Sequence, residues 1–508
     1  MLPYFRGATE ENSKKYIVQF RGLNLGEGYQ DGDFSDCMNI SSALFPCIST
    51  CWGRREEGSY AAPEALHGKG EMLVIDGETV YYGGKAVGNV NTERKQIATV
   101  GKYIVIFPDK VYYDTEAEVF GSMNISASAA EDETVFSHNS ITVSGESWAF
   151  KKGDAVEISG CTTYPENNKT IIIRGVEGDT LTFYDNSFTA GTEESAVSFK
   201  REVPDLDFIC ESNYRLWGVK GNTIYGSKYS DPFNFNVFDG LTGDSYFIDV
   251  GSDGDWTGCI PYSGHICFFK EHTLHKLYGS KPTNFQIVTS QVYGVQKGCE
   301  RSMCIVNETL LYKGVNGVYA YTGGVPELIS ESFGTVRFAD ACAASDGERY
   351  YISMRHNGIW TLFVYDVLRN MWVAEDHMHC VDMAFFDGHI YFLSAEGKLW
   401  KVDEGLGKED IEWSVTFKPF NEVINERKGY SKFHLRLELD SGAWLRVEIK
   451  RNTDSRWINV YTTHNSRRKT LSIPVIPARC DSVEVRLSGK GECLIRTFVR
   501  EFFIGSDV

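Results

Sequence analysis

The chain runs to 508 residues with 51 Lys+Arg against 69 Asp+Glu, a formal net charge of −18, and is 42% hydrophobic. That is enough apolar material for two or three cores, and the acidic balance excludes a protein that wraps duplex DNA by electrostatics. The 49 glycines, 27 tyrosines and 31 phenylalanines, with no long apolar pattern of period 3.6, exclude a helical fold and favour β-strands joined by tight turns.

From the start of the chain, "MLPYFRGATEENSKKYIV" lacks the apolar stretch of a secretory signal, and no run reaches the roughly 18 apolar residues of a spanning helix. The expectation is a protein made and kept in the cytosol. Its 13 cysteines fit that compartment: Cys210, Cys259, Cys267, Cys342 and Cys380 sit in apolar strand patterns, where thiols act as small hydrophobes. "CISTC" and "CERSMC" have no matching second pair at zinc spacing, so no metal is expected.

A phrase then recurs along the chain. "TIYGSKYSDPFNF" at Thr223 returns as "TLHKLYGSKPTNF" at Thr273, and alignment on the aromatic residue near the strand end gives Tyr82, Tyr113, Tyr225, Tyr278, Tyr321, Tyr365 and Trp400, seven copies. From Tyr225 onward the spacings are 53, 43, 44 and 35 residues, close to the about 40–50 of propeller blades. Most copies read as four short strands, with turns such as Ser263-Gly264, Asn307-Glu308, Asp346-Gly347 and Asn357-Gly358; Asn-Gly and Asp-Gly are strong hairpin signals because their backbones tolerate positive φ. In the Tyr225 copy the fourth strand is expected just after Asp231-Pro232. The last copy supplies three strands, so the early strand Lys15–Gly22 is expected to complete it.

The pattern predicts an all-β chain: a β-propeller, seven blades favoured with six or eight open, carrying an inserted β-domain and a C-terminal β-sandwich. Residues 1–121 form an N-terminal arm and the first blades, 122–203 an inserted small barrel or sandwich, 204–408 the remaining blades, and 409–508 the sandwich.

Catalytic motifs are weak. "IDVGSDGDWTG" partly matches an Asp-box turn but does not recur, so Asp249, Asp253 and Asp255 are expected to be structural. His265, His272 and His275 are expected to face solvent around one hairpin. Trp217, Trp360 and Trp372 occupy blade-core positions; Trp256 and Trp457 are candidates for stacking on sugars. No cofactor and no catalytic residue is expected. Residues 411–508 hold 17 Lys+Arg against 12 Asp+Glu, the remainder 34 against 57. Arg436, Arg446, Arg451, Arg456 and Arg486 alternate with apolar residues there and are expected to form a basic interface face.

The phrases "FRGLNLGEGYQDGDFSDCMNISSALFPCIST", "LWGVKGNTIYGSKYSDPFNFNVFDG", "IDVGSDGDWTGCIPYSGHICFFKEHTLHKLYGSKPTNFQ" and "RLSGKGECLIRTFVREFFIGSD" resemble those of tailed-bacteriophage virion proteins, similar in plan to the tail hub, nozzle or stabilisation proteins of short-tailed phages. The resemblance spans nearly the whole chain. It implies a non-enzymatic homo-oligomeric ring, hexameric by preference, assembled with portal, adaptor and other tail proteins around a channel through which viral DNA passes without sequence-specific contact. The alternative is a glycan-binding or glycan-cleaving tail protein acting in host-surface recognition.

Overall fold

The structure is a computed structural model, and it describes residues 12–184, 186–464, 469–476 and 478–504. The reading of the N-terminus as lacking a secretory signal falls mostly outside these residues. The chain is all-β; helix among the described residues is limited to four three-residue 3-10 turns, and no helix is long and apolar enough to cross a membrane. It divides into two compact units: Ala61–Glu300, and the residues up to Tyr60 together with those from Arg301 onward.

Seven four-stranded antiparallel sheets occur among the described residues, each with strands in simple meander order except the last. The seven repeat aromatics all lie on the third strand of their sheets, from Tyr82 on Thr79–Tyr82 to Trp400 on Lys398–Asp403. The turns follow their residue types: Asn357 and Gly358 have φ of 50° and 83°, Asp387 and Gly388 47° and 76°. Both residues are left-handed, which matches the twist of the flanking strands.

In unit 61–300 the first four sheets pack face to face in chain order. Leu73, Ile75 and Val80 of the first share a core with Ile104 and Ile106 of the second. Val105 and Phe107, on the opposite face of that second sheet, meet Ile209 and Leu216 of the third. Trp217, Val219 and Ile224 then meet Cys259, Ile266 and Phe268 of the fourth. In the other unit the first strands of successive sheets touch, and Cys342 Sγ lies 3.0 Å from the Cys380 carbonyl oxygen.

Between the second and third sheets, eight strands from Ile125–Ala129 to Val197–Arg201 form the inserted domain around Phe136, Ile141, Phe183 and Phe199. Its anchor corrects the sequence reading of the third sheet. The fourth strand is Tyr246–Asp249, and the segment after Asp231-Pro232 is a loop. Asn234 in that loop donates to Asp154 Oδ1 (3.0 Å) and accepts from the Ala155 amide (3.0 Å), while Arg201 pairs with the same Asp154 at 2.9 Å. Polar groups buried in this way persist only when mutually satisfied, so the loop serves as a socket for the insert.

The seventh sheet carries a second correction. Its fourth strand is Gly53–Ser59, antiparallel to Lys398–Asp403, whereas the N-terminal strand Asn12–Ile17 pairs with Cys493–Ile504. "GRREEGS" shows no apolar alternation because it is an edge strand with both faces largely in water, so it carries no period-2 signal. The N-terminal arm accordingly belongs with the C-terminal strands. Two six-stranded sheets result, one using Asn12–Ile17, Ile40–Ser41 and Ile48–Thr50, the other Gly22–Leu23 and Asp33–Met38. Their inner faces meet through Phe417 and Phe498, stacked at 5.2 Å, with Phe20 and Phe34 beside them. Each such buried ring contributes about 1.5–3 kcal/mol.

The strand Gly53–Ser59 is followed by Tyr60, whose amide donates to the Gly397 carbonyl oxygen at 2.6 Å. Gly397 has φ +86°, and a Cβ there would stand 1.9 Å from the Tyr60 carbonyl oxygen. Gly397→Ala is expected to cost about 1–3 kcal/mol and to raise amide exchange along Gly53–Ser59 selectively. Unchanged protection of that strand would overturn its assignment as the fourth strand of the seventh sheet.

Candidate functional site

Within the second unit a polar cleft of about 740 Å³ opens between the N-terminal loop and the fifth and sixth sheets. The loop is built by residue type. Gly22 takes φ +88° against the Trp372 carbonyl oxygen, which a Cβ would meet at 2.3 Å, so the chain passes over the sixth sheet only as glycine. Asp33, 7% exposed, then gathers the loop: its carboxylate accepts from the Gln30 amide (2.9 Å) and Asn24 Nδ2 (2.8 Å), with Arg21 Nε at 3.4 Å. The Leu25 and Gly26 amides donate to the Ser332 carbonyl oxygen and tie the loop to the opposite wall.

That wall is the short strand Glu327–Leu328 and the turn Glu331–Phe333. Its floor is Tyr365 and Trp372, rings 4.6 Å apart, each with its polar tip occupied: Tyr365 Oη donates to Asn370 Oδ1 (2.9 Å) and Trp372 Nε1 to the Ile329 carbonyl oxygen (2.9 Å). Burial pushes the Tyr365 hydroxyl up to about 12, so it stays a donor. Tyr29 stands at the mouth, its hydroxyl on the Pro419 carbonyl oxygen and Lys418 Nζ 5.6 Å from its ring centre. Arg21, Gln30, Glu327, Glu331 and Asn370 are exposed around it, and Ser332 Oγ is buried without a partner among the described residues.

A tighter cluster lies in unit 61–300. Ser252 Oγ is 2.7 Å from His275 Nε2, and His275 Nδ1 is 2.9 Å from Thr289 Oγ1. Lys270 Nζ donates to the Ser252 carbonyl oxygen at 2.6 Å and lies 4.7 Å from the Trp256 ring centre. The Ser–His spacing is that of a nucleophile and its base, but the outer nitrogen faces a hydroxyl where a triad places a carboxylate. His275 is 1% exposed between strands; the cluster fastens the loop 252–255 to the fourth sheet. His265 is also buried, stacked on Tyr278 at 4.7 Å, and of the three histidines only His272 faces solvent, which corrects the sequence expectation. Asp255 is on the surface, paired with Lys297 at 2.9 Å.

No family model matches the chain and none of the curated proteins matches it. Among solved structures it is similar to Kluyvelomyces marxianus Hsv2 (13% identity, TM-score 0.26), over 39% of this chain and 60% of that one, which is less than two thirds of its length. It is similar to PorZ of the Porphyromonas gingivalis type-IX secretion system (10%, TM-score 0.28, 92% of this chain and 81% of that one). It is similar to the phage phi92 endosialidase (11%, TM-score 0.25, 72% and 68%). Likenesses this distant carry no functional argument.

The five C-terminal arginines do not share a face. Arg436 lies on Lys428–Leu439 of one six-stranded sheet; Arg446 and Arg451 lie on Trp444–Arg451, and Arg486 on Val483–Lys490, of the other. Arg486 is held by Glu448 at 2.8 Å and covers the Trp457 ring at 4.4 Å. Arg451 has the inward parity of Leu445, Val447 and Ile449, so at its strand end it turns to Asp454 and the Ile476 carbonyl oxygen. Arg436, Arg446 and Arg456 remain exposed. Trp217, Trp256 and Trp372 are buried, as expected of the first and third, and Trp256 has no ring face for a sugar. The cleft itself escaped the sequence reading because its groups come from segments about 300 and 340 residues apart, although the glycine-rich "GLNLGEGYQDGD" marks one wall.

Proposed function

We propose that this chain is a structural subunit of a bacteriophage tail: a seven-bladed β-propeller bearing the docked β-domain and the sandwich, assembled as a sixfold ring with portal, adaptor and other tail proteins around the DNA exit channel. The observation that carries this reading is the interlacing of the chain. Residues 12–50 supply five strands to the two C-terminal sheets and the next strand completes the seventh meander, so these elements cannot separate without breaking several ladders at once. Such stitching suits a part that bears load in an assembly. Packing of successive sheets in chain order, first strand against first strand, supports the propeller. The excess of Lys+Arg after residue 410, against the acidic remainder, suits contacts between neighbouring subunits.

Native mass measurement with negative-stain imaging at low and high concentration tests the reading: rings with a central opening are expected, and a monomer at every concentration, alone and with its portal–adaptor template, counts against it. Arg446 and Arg456 are exposed and free to meet an acidic neighbour. Arg446→Glu with Arg456→Glu is expected to abolish rings while leaving the monomer's melting temperature unchanged. Intact rings would move the interface elsewhere.

A further inference from the structure

We propose that the cleft between the N-terminal loop and the fifth and sixth sheets binds a neutral oligosaccharide, a function that does not depend on ring formation. Three observations converge. At about 740 Å³ the cleft falls within the range of ligand sites. Its exposed groups are flat and two-pronged: the Arg21 guanidinium, the Gln30 and Asn370 amides and the Glu327 and Glu331 carboxylates. Donors and acceptors are thus interspersed, as the vicinal hydroxyls of a sugar require, since each hydroxyl both donates and accepts. The third observation is Tyr29, a partly exposed aromatic ring among the lining residues that offers a face on which a sugar can stack.

Charge decides the ligand class. Glu327, Glu331 and Asp33 set three carboxylates against two cations: Arg21, whose charge is already shared with Asp33, and Lys418 beside Tyr29, whose ammonium donates to the Gly26 carbonyl oxygen. A sialylated or phosphorylated sugar would meet net repulsion, whereas a neutral one would not. The aromatic element is Tyr29, 36% exposed and clamped at its hydroxyl by the Pro419 carbonyl oxygen. A ring already held in place costs little ordering entropy when a sugar stacks on it.

The test uses the full-length protein on an array of neutral gluco-, galacto- and manno-oligosaccharides, with sialylated oligosaccharides and tri-lysine as charged controls, followed by titration calorimetry of the best binder. Gly28 lines the cleft, has no atom within 4 Å of an added Cβ, and does not need a left-handed backbone. Gly28→Trp therefore fills the site without disturbing the loop, and Glu331→Ala removes one exposed acceptor. The expected result is binding of at least one neutral oligosaccharide, weakened about tenfold or more by each variant, with melting temperatures held. Should Gly28→Trp fail to fold, Glu331→Ala and Gln30→Ala decide the matter. No neutral binder at about 10 mM, well above the Kd of a weak site, would overturn the proposal. So would undiminished binding in the variants, or preference for sialylated oligosaccharides or tri-lysine.

Discussion

Replacing Arg500 with leucine is expected to destabilise the unit that contains the two six-stranded sheets by about 3–5 kcal/mol, the range for breaking a buried pair from one side. Arg500 lies on the central strand Cys493–Ile504 with its side chain 1% exposed. Its Nε donates to Glu422 Oε1 at 2.8 Å, and its terminal nitrogen reaches Asp31 at 2.9 Å and Glu422 Oε2 at 3.1 Å. The guanidinium also sits 3.9 Å over the Phe420 ring. Glu422 is wholly buried, with Tyr430 Oη at 3.1 Å and Lys15 Nζ at 3.4 Å. Leucine would strand that carboxylate with only a half-exposed lysine and a phenol for support. The companion substitution distinguishes lost pairing from lost packing: Glu422→Leu added to Arg500→Leu removes the orphaned charge and is expected to recover most of the loss. Urea unfolding of wild type, both single variants and the double variant measures it; a double variant as unstable as Arg500→Leu would assign the effect to packing alone. Because Asp31 and Lys15 come from the N-terminal arm, the single variant is also expected to loosen Asn12–Ile17.

This cluster shows where sequence reading stops. Local periodicity identified the meanders because six of the seven sheets, and three strands of the last, are joined by contacts within about 45 residues: the aromatic on the third strand, and paired left-handed residues at turns such as Asn357-Gly358. It could not assign the arm. Lys14 opposite Glu501, and Lys15 opposite Arg500, are partners in register that lie almost five hundred residues apart, and nothing in "NSKKYI" names a mate. "GRREEGS" hid a strand because an edge needs no apolar face, and the loop 231–245 imitated a strand because its buried Phe235 and half-buried Phe233 pack against the second and third sheets without pairing. The candidate cleft was hidden for the same reason as the Arg500 cluster: its residues are brought together by tertiary contact alone.

The second large effect expected is a loss of stability of unit 61–300 between pH 6.5 and pH 5. Burial lowers His275 from its ordinary value to about 4, with the Lys270 ammonium adding to the effect. Burial likewise lowers His67 to about 4, with Lys69 adding, while His67 Nε2 bonds Thr99 Oγ1 at 2.7 Å across the first and second sheets. In the unfolded chain both return to about 6.5. Between these values the unfolded state holds more protons than the folded one, so the stabilisation is full above pH 6.5 and is lost as pH falls toward 4. By pH 5 the loss is about 1–2 kcal/mol for each histidine after allowance for screening. Carboxylates act lower on the scale: Glu193, held to about 2 against the opposing effect of its burial by the Thr163, Tyr164 and Thr162 amides and the Ser195 hydroxyl, gives up its contribution only as pH drops through the ordinary carboxylate range and below. The interval above pH 5 therefore isolates the histidines. Urea unfolding at pH 7.5 and pH 5 is expected to show the drop in wild type, a smaller one in His275→Gln, and in His275→Gln with His67→Gln only the remainder due to His265, which burial also lowers from its ordinary value. Equal drops in all three proteins would mean that both rings are charged in the folded state, and that the Ser252–His275–Thr289 chain of hydrogen bonds is not the fastening it is taken to be here.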